Sequence, residues 1–258
     1  MTVIGTIAGQ ARSLLPDPLF YRGVAAAYRL RAERRLLLLD ELVPRNSTVV
    51  DVGAWWGPWT YWLANRAASV WSFEPNPEMA SFLTRVASPN VRVEAVALSN
   101  RSGTGTLFAP EDVGHDALAA LSTRNLANGV RSIEVPLRRL DDYRLEEVQF
   151  MKIDVEGHEL EVLKGAEETI ARCGATILVE IDQVLHNQPI QRIFDWLLAR
   201  GYEGRFRRRR AWAPLRSFDI QRDQLLRRNV KSAKYIRDFV FVPRGTRAHL
   251  SARRTDRL

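Results

Sequence analysis

Residues 49–63, VVDVGAWWGPWTYWL, run from a β-branched segment through a turn holding Gly53 and Gly57 into a stretch with helical spacing of apolar groups. A short apolar run, glycines, then a helix with proline in its first turn is how a parallel strand hands the chain to a crossover helix. Trp55, Trp56, Trp59 and Trp62 crowd this turn, where a phosphate-binding loop would want bare backbone. An NAD-type Gly-x-Gly-x-x-Gly turn is therefore disfavoured, and a ligand without a pyrophosphate is preferred.

The pattern repeats outward. "TVVDVGA" is followed by a predicted helix over 58–66, "SVWSFEP" by one over 77–87, and then comes "VRVEAVAL" as a single strand. Strand, helix, strand, helix, strand opens a doubly wound parallel sheet. "LSNRSGTGTLFAP" and "RSIEVPLRRL" read as added strands around a polar loop, 109–132. "VQFMKIDVE" resumes the sheet; 157–173 is predicted as one helix, "ATILVEID" as a strand, 189–200 as a helix and "YIRDFVFVP" as the last strand. The expected fold is α/β, a mostly parallel Rossmann-like sheet with helices on both faces. Residues 1–43 form an N-terminal helical extension ended by Pro44, residues 44–245 the main domain and residues 246–258 a basic tail.

The net charge is +8, but residues 201–258 carry 17 Lys and Arg against five Asp and Glu, whereas residues 1–200 carry 21 against 25. Basicity thus belongs to the C-terminal end, and the body is mildly acidic, which argues against nucleic acid as the default partner. Cys173 is the only cysteine, which excludes an intramolecular disulfide and a thiolate cluster and fits a reducing compartment. No apolar run approaches the ~20 residues of a membrane span and no leader is recognisable, so the expectation is a soluble cytoplasmic protein.

Glu74 ends the second strand about twenty residues after Asp51, where a carboxylate accepts both hydroxyls of a ribose. With Asp51, Gly53 and Gly57, it outlines a nucleoside pocket, and S-adenosylmethionine is the phosphate-free adenosine ligand that suits it. At the end of a later strand Asp154, Glu156, His158 and Glu159 follow directly on the apolar run. Transfer of a methyl group to an aliphatic hydroxyl needs a proton acceptor at such an edge. Asp154 is the first choice, with Glu156, His158 and, from the next strand end, Glu180 beside it. Glu159 fits the ordinary polar face of an amphipathic helix. Asp154, Glu180, Asp182 and His186 carry oxygens and an imidazole that leave room for Mg²⁺, although their spacing is no dedicated metal signature. In "RRLDDY" the acids are expected to cap backbone amides. His115 and His249 sit in polar contexts and are expected at the surface.

Together, "VVDVGAWWGPWT", "SFEPNPEMASFL", "VALSNRSGTGTLF", "RRLDDY", "MKIDVEGHELEVLKGA" and "ILVEID" resemble the FkbM family of S-adenosylmethionine-dependent methyltransferases over residues 48–182. The resemblance implies a class I methyltransferase fold and O-methylation of a sugar or other secondary-metabolite hydroxyl. It implies that Asp51, Gly53, Ala54, Gly57 and Thr60 shape the methionine end of the donor site, Glu74 binds the ribose, and Asn76 and Val96 lie near the adenine. Trp55 stands where the family usually has Asn, and Trp does not readily take a positive φ. The aromatic faces of Trp55 and Trp56 suit a sugar ring, so at least one is expected to line the donor or acceptor pocket; Trp59 and Trp62 are expected to pack the following helix on the sheet.

Two rival functions accompany this one. "RFRRRRAWAPLR" (205–216) could bind phosphates and stack on bases in an RNA-modifying methyltransferase, or the basic end could serve a non-catalytic adapter. A basic face that complements the acidic body or a homodimer partner is the plainer account.

Overall fold

In a computed structural model the chain is described at residues 12, 14–32, 34–110, 121, 130–208, 211–226 and 234–245. Most of the polar loop with His115, part of the arginine run, and the tail with His249 lie outside the described residues.

Eight strands form the main sheet, in the order β10-β9-β11-β8-β7-β1-β2-β3. They are β1 (Thr48–Val52), β2 (Ser69–Phe73), β3 (Val91–Glu94), β7 (Val148–Ile153), β8 (Thr176–Glu180), β9 (Tyr202–Arg208), β10 (Ala211–Pro214) and β11 (Asp238–Pro243). Pairings from β3 through β8 are parallel, and β11 runs antiparallel to both neighbours, β8 and β9. The strand order reverses direction at the β1–β7 pair, which is where open α/β sheets open a ligand crevice beyond the carboxyl ends of the strands. This is the class I methyltransferase topology.

Helices α1 (Asp17–Ala27), α2 (Leu39–Leu42), α3 (Pro58–Ala64) and α4 (Pro77–Val86) precede β3; α5 (Glu159–Gly165), α6 (Glu167–Cys173) and α7 (Gln191–Ala199) follow β7. They divide between the faces because strand side chains alternate. Val50, Met151, Ile177 and Phe239 join one core with Val162, Ile170 and Phe194 of α5, α6 and α7. Val49, Phe150, Leu178 and Val240 join the other, with Phe20, Trp59 and Phe82 of α1, α3 and α4.

Several elements depart from expectation. "VRVEAVAL" splits: Val91–Glu94 stays in the main sheet, whereas β4 (Ala97–Leu98) crosses to pair with β6 (Val130–Arg138), which also pairs with β5 (Gly103–Pro110) in a second, three-stranded sheet. The helix expected over 157–173 breaks at Ala166. Asp141 caps its second half, accepting hydrogen bonds from Thr169 N at 2.8 Å and Glu168 N at 3.2 Å, as the acids of "RRLDDY" were expected to do. Within the arginine-rich run, Tyr202, Gly204 and Phe206 point inward at a period of two and make β9 a strand.

Pro58 occupies the first turn of α3 as expected. Trp59 is buried and stacks on Phe150, but Trp62 turns from the sheet and donates its indole N–H to the Ala25 carbonyl of α1 at 2.9 Å.

Candidate active site

The carboxyl ends of β1, β2, β7 and β8 meet along one edge, and β1 and β2 supply the first half of the site. The chain leaves β1 through three left-handed residues at alternate positions, Gly53, Trp55 and Gly57, with φ of 74°, 52° and 78°. Trp55 accepts the strain, of order 1 kcal/mol or more, because both ends of it are held. Its N–H donates to Glu74 Oε2 at 2.7 Å and its ring packs against Tyr28 at 5.3 Å.

The amides of this turn face inward. Gly53 N and Ala54 N both donate to the Phe73 carbonyl, at 3.0 and 3.2 Å. They are therefore not exposed donors, which agrees with a ligand lacking phosphate. Gly53 is required sterically, since a Cβ there would lie 1.9 Å from the Asp154 carbonyl oxygen. At Gly57 a Cβ would meet Leu83 and Tyr21, so the turn is closed over by α4 and α1.

Trp55 and Trp56 are buried under those helices. Trp56 stacks edge-on with Phe20 and Phe82 at 5.5 and 5.2 Å, and Arg12 caps the cluster. Trp56 is thus given over to packing, whereas Trp55, whose N–H holds Glu74 Oε2, adjoins the carboxylate assigned to the ribose.

Asp51 and Thr60 lie beneath the turn, fully buried. Thr60 Oγ1 donates to Asp51 Oδ2 at 2.7 Å, so the 2.7 Å contact between the Thr60 and Ser72 hydroxyls has Ser72 as donor. Lys152, on β7 opposite Asp51, was missed in the sequence. Its buried Nζ donates to the Gly53 and Val52 carbonyls at 2.6 and 3.2 Å and lies 3.3 Å from Asp51 Oδ1.

Glu74 ends β2, nearly buried, its two oxygens accepting from Trp55 N and, at 2.9 Å, Asn76 N. Burial pushes its carboxyl up to about 7, with Asp51 adding to the effect and the two amides and Lys152 opposing it. Asn76 caps α4 through Oδ1, whereas its buried Nδ2 has no acceptor among the described residues. Val96 is half-buried beyond β3, next to exposed Ala95.

Carboxylates dominate the β7–β8 half. Asp154 and Glu156 are partly buried, and Glu156 is held at φ 51° ahead of Gly157 at 102°. A Cβ on Gly157 would meet the Leu185 carbonyl at 2.7 Å, so this loop is pressed against the one after β8. Burial raises the Glu156 carboxyl to about 8, and the charges of Asp154, Glu159 and Asp182 raise it further against the pull of Arg237.

Glu159 is not on a solvated helix face but is buried, accepting from Gly157 N and lying 2.9 Å from His186 Nε2. His158 meets Ser99 Oγ at 2.9 Å, and burial lowers its pKa toward the neutral imidazole. Glu180 pairs with Arg237 at 2.6 Å, while Asp182 accepts from the Tyr235 hydroxyl at 2.5 Å and from Val184 N. Those partners engage oxygens that Mg²⁺ would need. Among the described residues no three His, Cys, Asp or Glu side chains converge on a metal position; the donor set does not fit one.

The arginine-rich strand is answered within the molecule. Arg208 and Arg222 both bind Asp223, at 2.8 and 2.7 Å, and Arg207 lies 3.8 Å from Glu41 and over Trp212.

Residues 51–203 match the family model described as the methyltransferase FkbM domain. The chain belongs to the FkbM methyltransferase family. That family is one of S-adenosylmethionine-dependent methyltransferases. Methyltransferase sdnD of Sordaria araneosa is similar to it, at 28% identity over 174 residues that cover 54% of this chain and 67% of that protein. The crystal structure of methyltransferase FkbM from Methylobacillus flagellatus KT is 16% identical, with a TM-score of 0.48 over 91% of this chain and 58% of that one. SMU.1697c from Streptococcus mutans, solved with SAH, is 10% identical, with a TM-score of 0.44 over 81% and 95%. The chain thus spans little more than half the length of the FkbM structure it resembles.

The FkbM site fits such a donor. Glu74 retains lone pairs on both oxygens beyond its two amide contacts, and Asn76 Nδ2 is a buried donor in need of an acceptor two residues away. A nucleoside, which donates through its ribose hydroxyls and accepts through its base nitrogens, complements both. No described helix is long and apolar enough to cross a membrane.

Proposed function

We propose that this FkbM methyltransferase transfers a methyl group to a hydroxyl of a sugar, oligosaccharide or related secondary metabolite. The donor supplies an electrophilic methyl carbon on a sulfonium. Glu74 binds the ribose hydroxyls, and Asn76 and Val96 flank the base. Asp51 and Thr60 act from below, fixing the turn through Lys152. Glu156 accepts the acceptor hydroxyl's proton, a role that sequence alone assigns first to Asp154. His158, tied to Ser99, orients the loop, and Glu180 holds Arg237.

The observation that carries this reading is the Glu156 carboxyl. Raised to about 8 in a left-handed turn among three other acids, it holds its proton in most molecules at neutral pH, and its ionised fraction, which grows as pH rises through 8, is a stronger base than an ordinary carboxylate for the proton of a hydroxyl as the new bond forms. Pairing of Arg207 with Glu41 and of Arg208 and Arg222 with Asp223 offsets part of the basic charge and weighs against the RNA and adapter readings.

A screen with radiolabelled methyl donor across monosaccharides, oligosaccharides and RNA tests it. Alkali-stable label on a sugar hydroxyl, abolished in Glu156→Gln, is the expected result. Label on RNA alone would overturn it.

A further inference from the structure

Helix α1 is apolar on two sides. Phe20, Tyr21, Val24 and Ala25 form its inner face and are buried. Its outer face holds Leu19, Arg22, Gly23 and Ala26, all exposed, and the π-helical turn that continues it, Tyr28–Ala32, adds Leu30. Leu19 is 55% exposed and Leu30 81%. Among the described residues eight large apolar side chains are exposed, and five of them, Leu14, Leu15, Leu19, Leu30 and Leu37, belong to this one segment. A single exposed leucine needs no explanation, whereas a concentration of them on a helix already apolar on its buried side marks a contact surface. That side is open: a Cβ on Gly23 would meet nothing within 4 Å.

Charge selects the occupant. Residues 12–37 hold six arginines against Asp17 and Glu33, and Asp17 is bound by Arg12 at 2.8 Å and Arg85 at 3.0 Å. Arg22 stands within the outer face, and Arg29, next to Leu30 in the chain, lies over the Trp62 ring at 4.3 Å. A second copy of the chain, meeting this face about a two-fold axis, would set a basic segment against itself. A nucleic acid would suit the arginines but not the leucines, and the outer face of α1 presents no ring on which a base could stack. An anionic bilayer surface suits both. Leucines enter the boundary between headgroups and acyl chains while arginines reach the lipid phosphates.

We propose that the outer face of α1 docks the protein on a membrane surface rich in anionic lipid. The helix lies in the plane of the interface and does not cross it, as fits a chain in which no described helix is long and apolar enough to span a membrane. On its other side Phe20 packs against Trp56, and Tyr21 closes over Gly57. The docked helix is therefore the one that covers the β1 turn of the candidate site.

Flotation of the full chain with vesicles of phosphatidylcholine, with and without about one-third phosphatidylserine, tests it. The protein should bind the anionic vesicles at least ~10-fold more strongly than pure phosphatidylcholine, and less strongly as salt rises to about 0.5 M. The double variant Leu19→Glu, Leu30→Glu should lose ~10-fold or more of that binding. Its melting temperature should stay within about 2 °C of wild type, because both side chains are exposed. Gly23→Leu, which adds an apolar side chain where no atom opposes it, should bind ~3-fold more tightly or better. Equal binding to both kinds of vesicle, binding to neither, or undiminished binding of the double variant would overturn the proposal. A wild-type dimer in analytical ultracentrifugation that the double variant dissociates would also overturn it, giving the face to a second copy.

Discussion

The two halves of the candidate site solve different problems with the same residue types. At the β1–β2 end each buried carboxylate has fixed partners, Asp51 in Lys152 and Thr60 and Glu74 in two backbone amides, and what still raises the Glu74 carboxyl is chiefly burial rather than a crowd of acids. At the β7–β8 end Asp154, Glu156, Glu159 and Asp182 stand close enough to oppose one another's ionisation at Glu156. The first arrangement makes a rigid wall. The second stores electrostatic stress and yields a basic group, and perturbed titration of this kind is characteristic of reaction centres.

Breaking the rigid wall should cost the most. Trp56→Ala removes a buried ring from the Phe20–Phe82 cluster and should lower stability by about 3–5 kcal/mol in denaturant unfolding. Gly53→Ala should lose about 3 kcal/mol or more, since its φ is left-handed and the new Cβ meets Asp154 backbone. A stable Gly53→Ala protein would mean that the seam between the halves is loose.

Relieving the stressed half should separate stability from activity. Glu156→Gln should lower turnover by ~10²-fold or more, yet above pH 8 it should melt no lower than wild type, because it removes a carboxylate whose ionisation is opposed in the folded state. Parallel losses of stability and turnover would make Glu156 a structural residue.

A smaller effect sharpens the contrast through pH. Glu74 has its folded pKa raised, from 4.5 to about 7, so the folded state holds this proton more tightly than the unfolded one. The corresponding stability is fully present below pH 4.5 and is lost as pH rises through 7, in total about 3 kcal/mol. Unfolding of Glu74→Ala should show a shallower decline over that window than wild type. Ribose hydroxyls donating to Glu74 favour its ionised form, so donor affinity should rise between pH 6 and pH 8.

Which parts were legible in the sequence follows from the same division. Strand, glycine turn, helix and strand-terminal Glu74 are close in the chain, and their order alone indicates the sheet and the nucleoside pocket. Lys152 was invisible because its meaning depends on Asp51 and Gly53, about a hundred residues earlier, through strand register. Glu159 looked solvated until the loop after β8 brought His186 to it. β9 was masked by its arginines, although Tyr202 and Phe206 already carried the period of two. Trp56 was ambiguous for the opposite reason: an aromatic ring beside a ligand turn suits a sugar or a packed helix equally, and only the position of α1 brings Phe20 against it.

The division of labour itself is tested most directly by S-adenosylhomocysteine affinity, measured calorimetrically in Glu74→Ala and Glu156→Gln. The account predicts at least about tenfold weaker binding in Glu74→Ala, from loss of charge-assisted hydrogen bonds to the ribose, and binding within about twofold of wild type in Glu156→Gln. Unchanged affinity in Glu74→Ala together with a large loss in Glu156→Gln would contradict it.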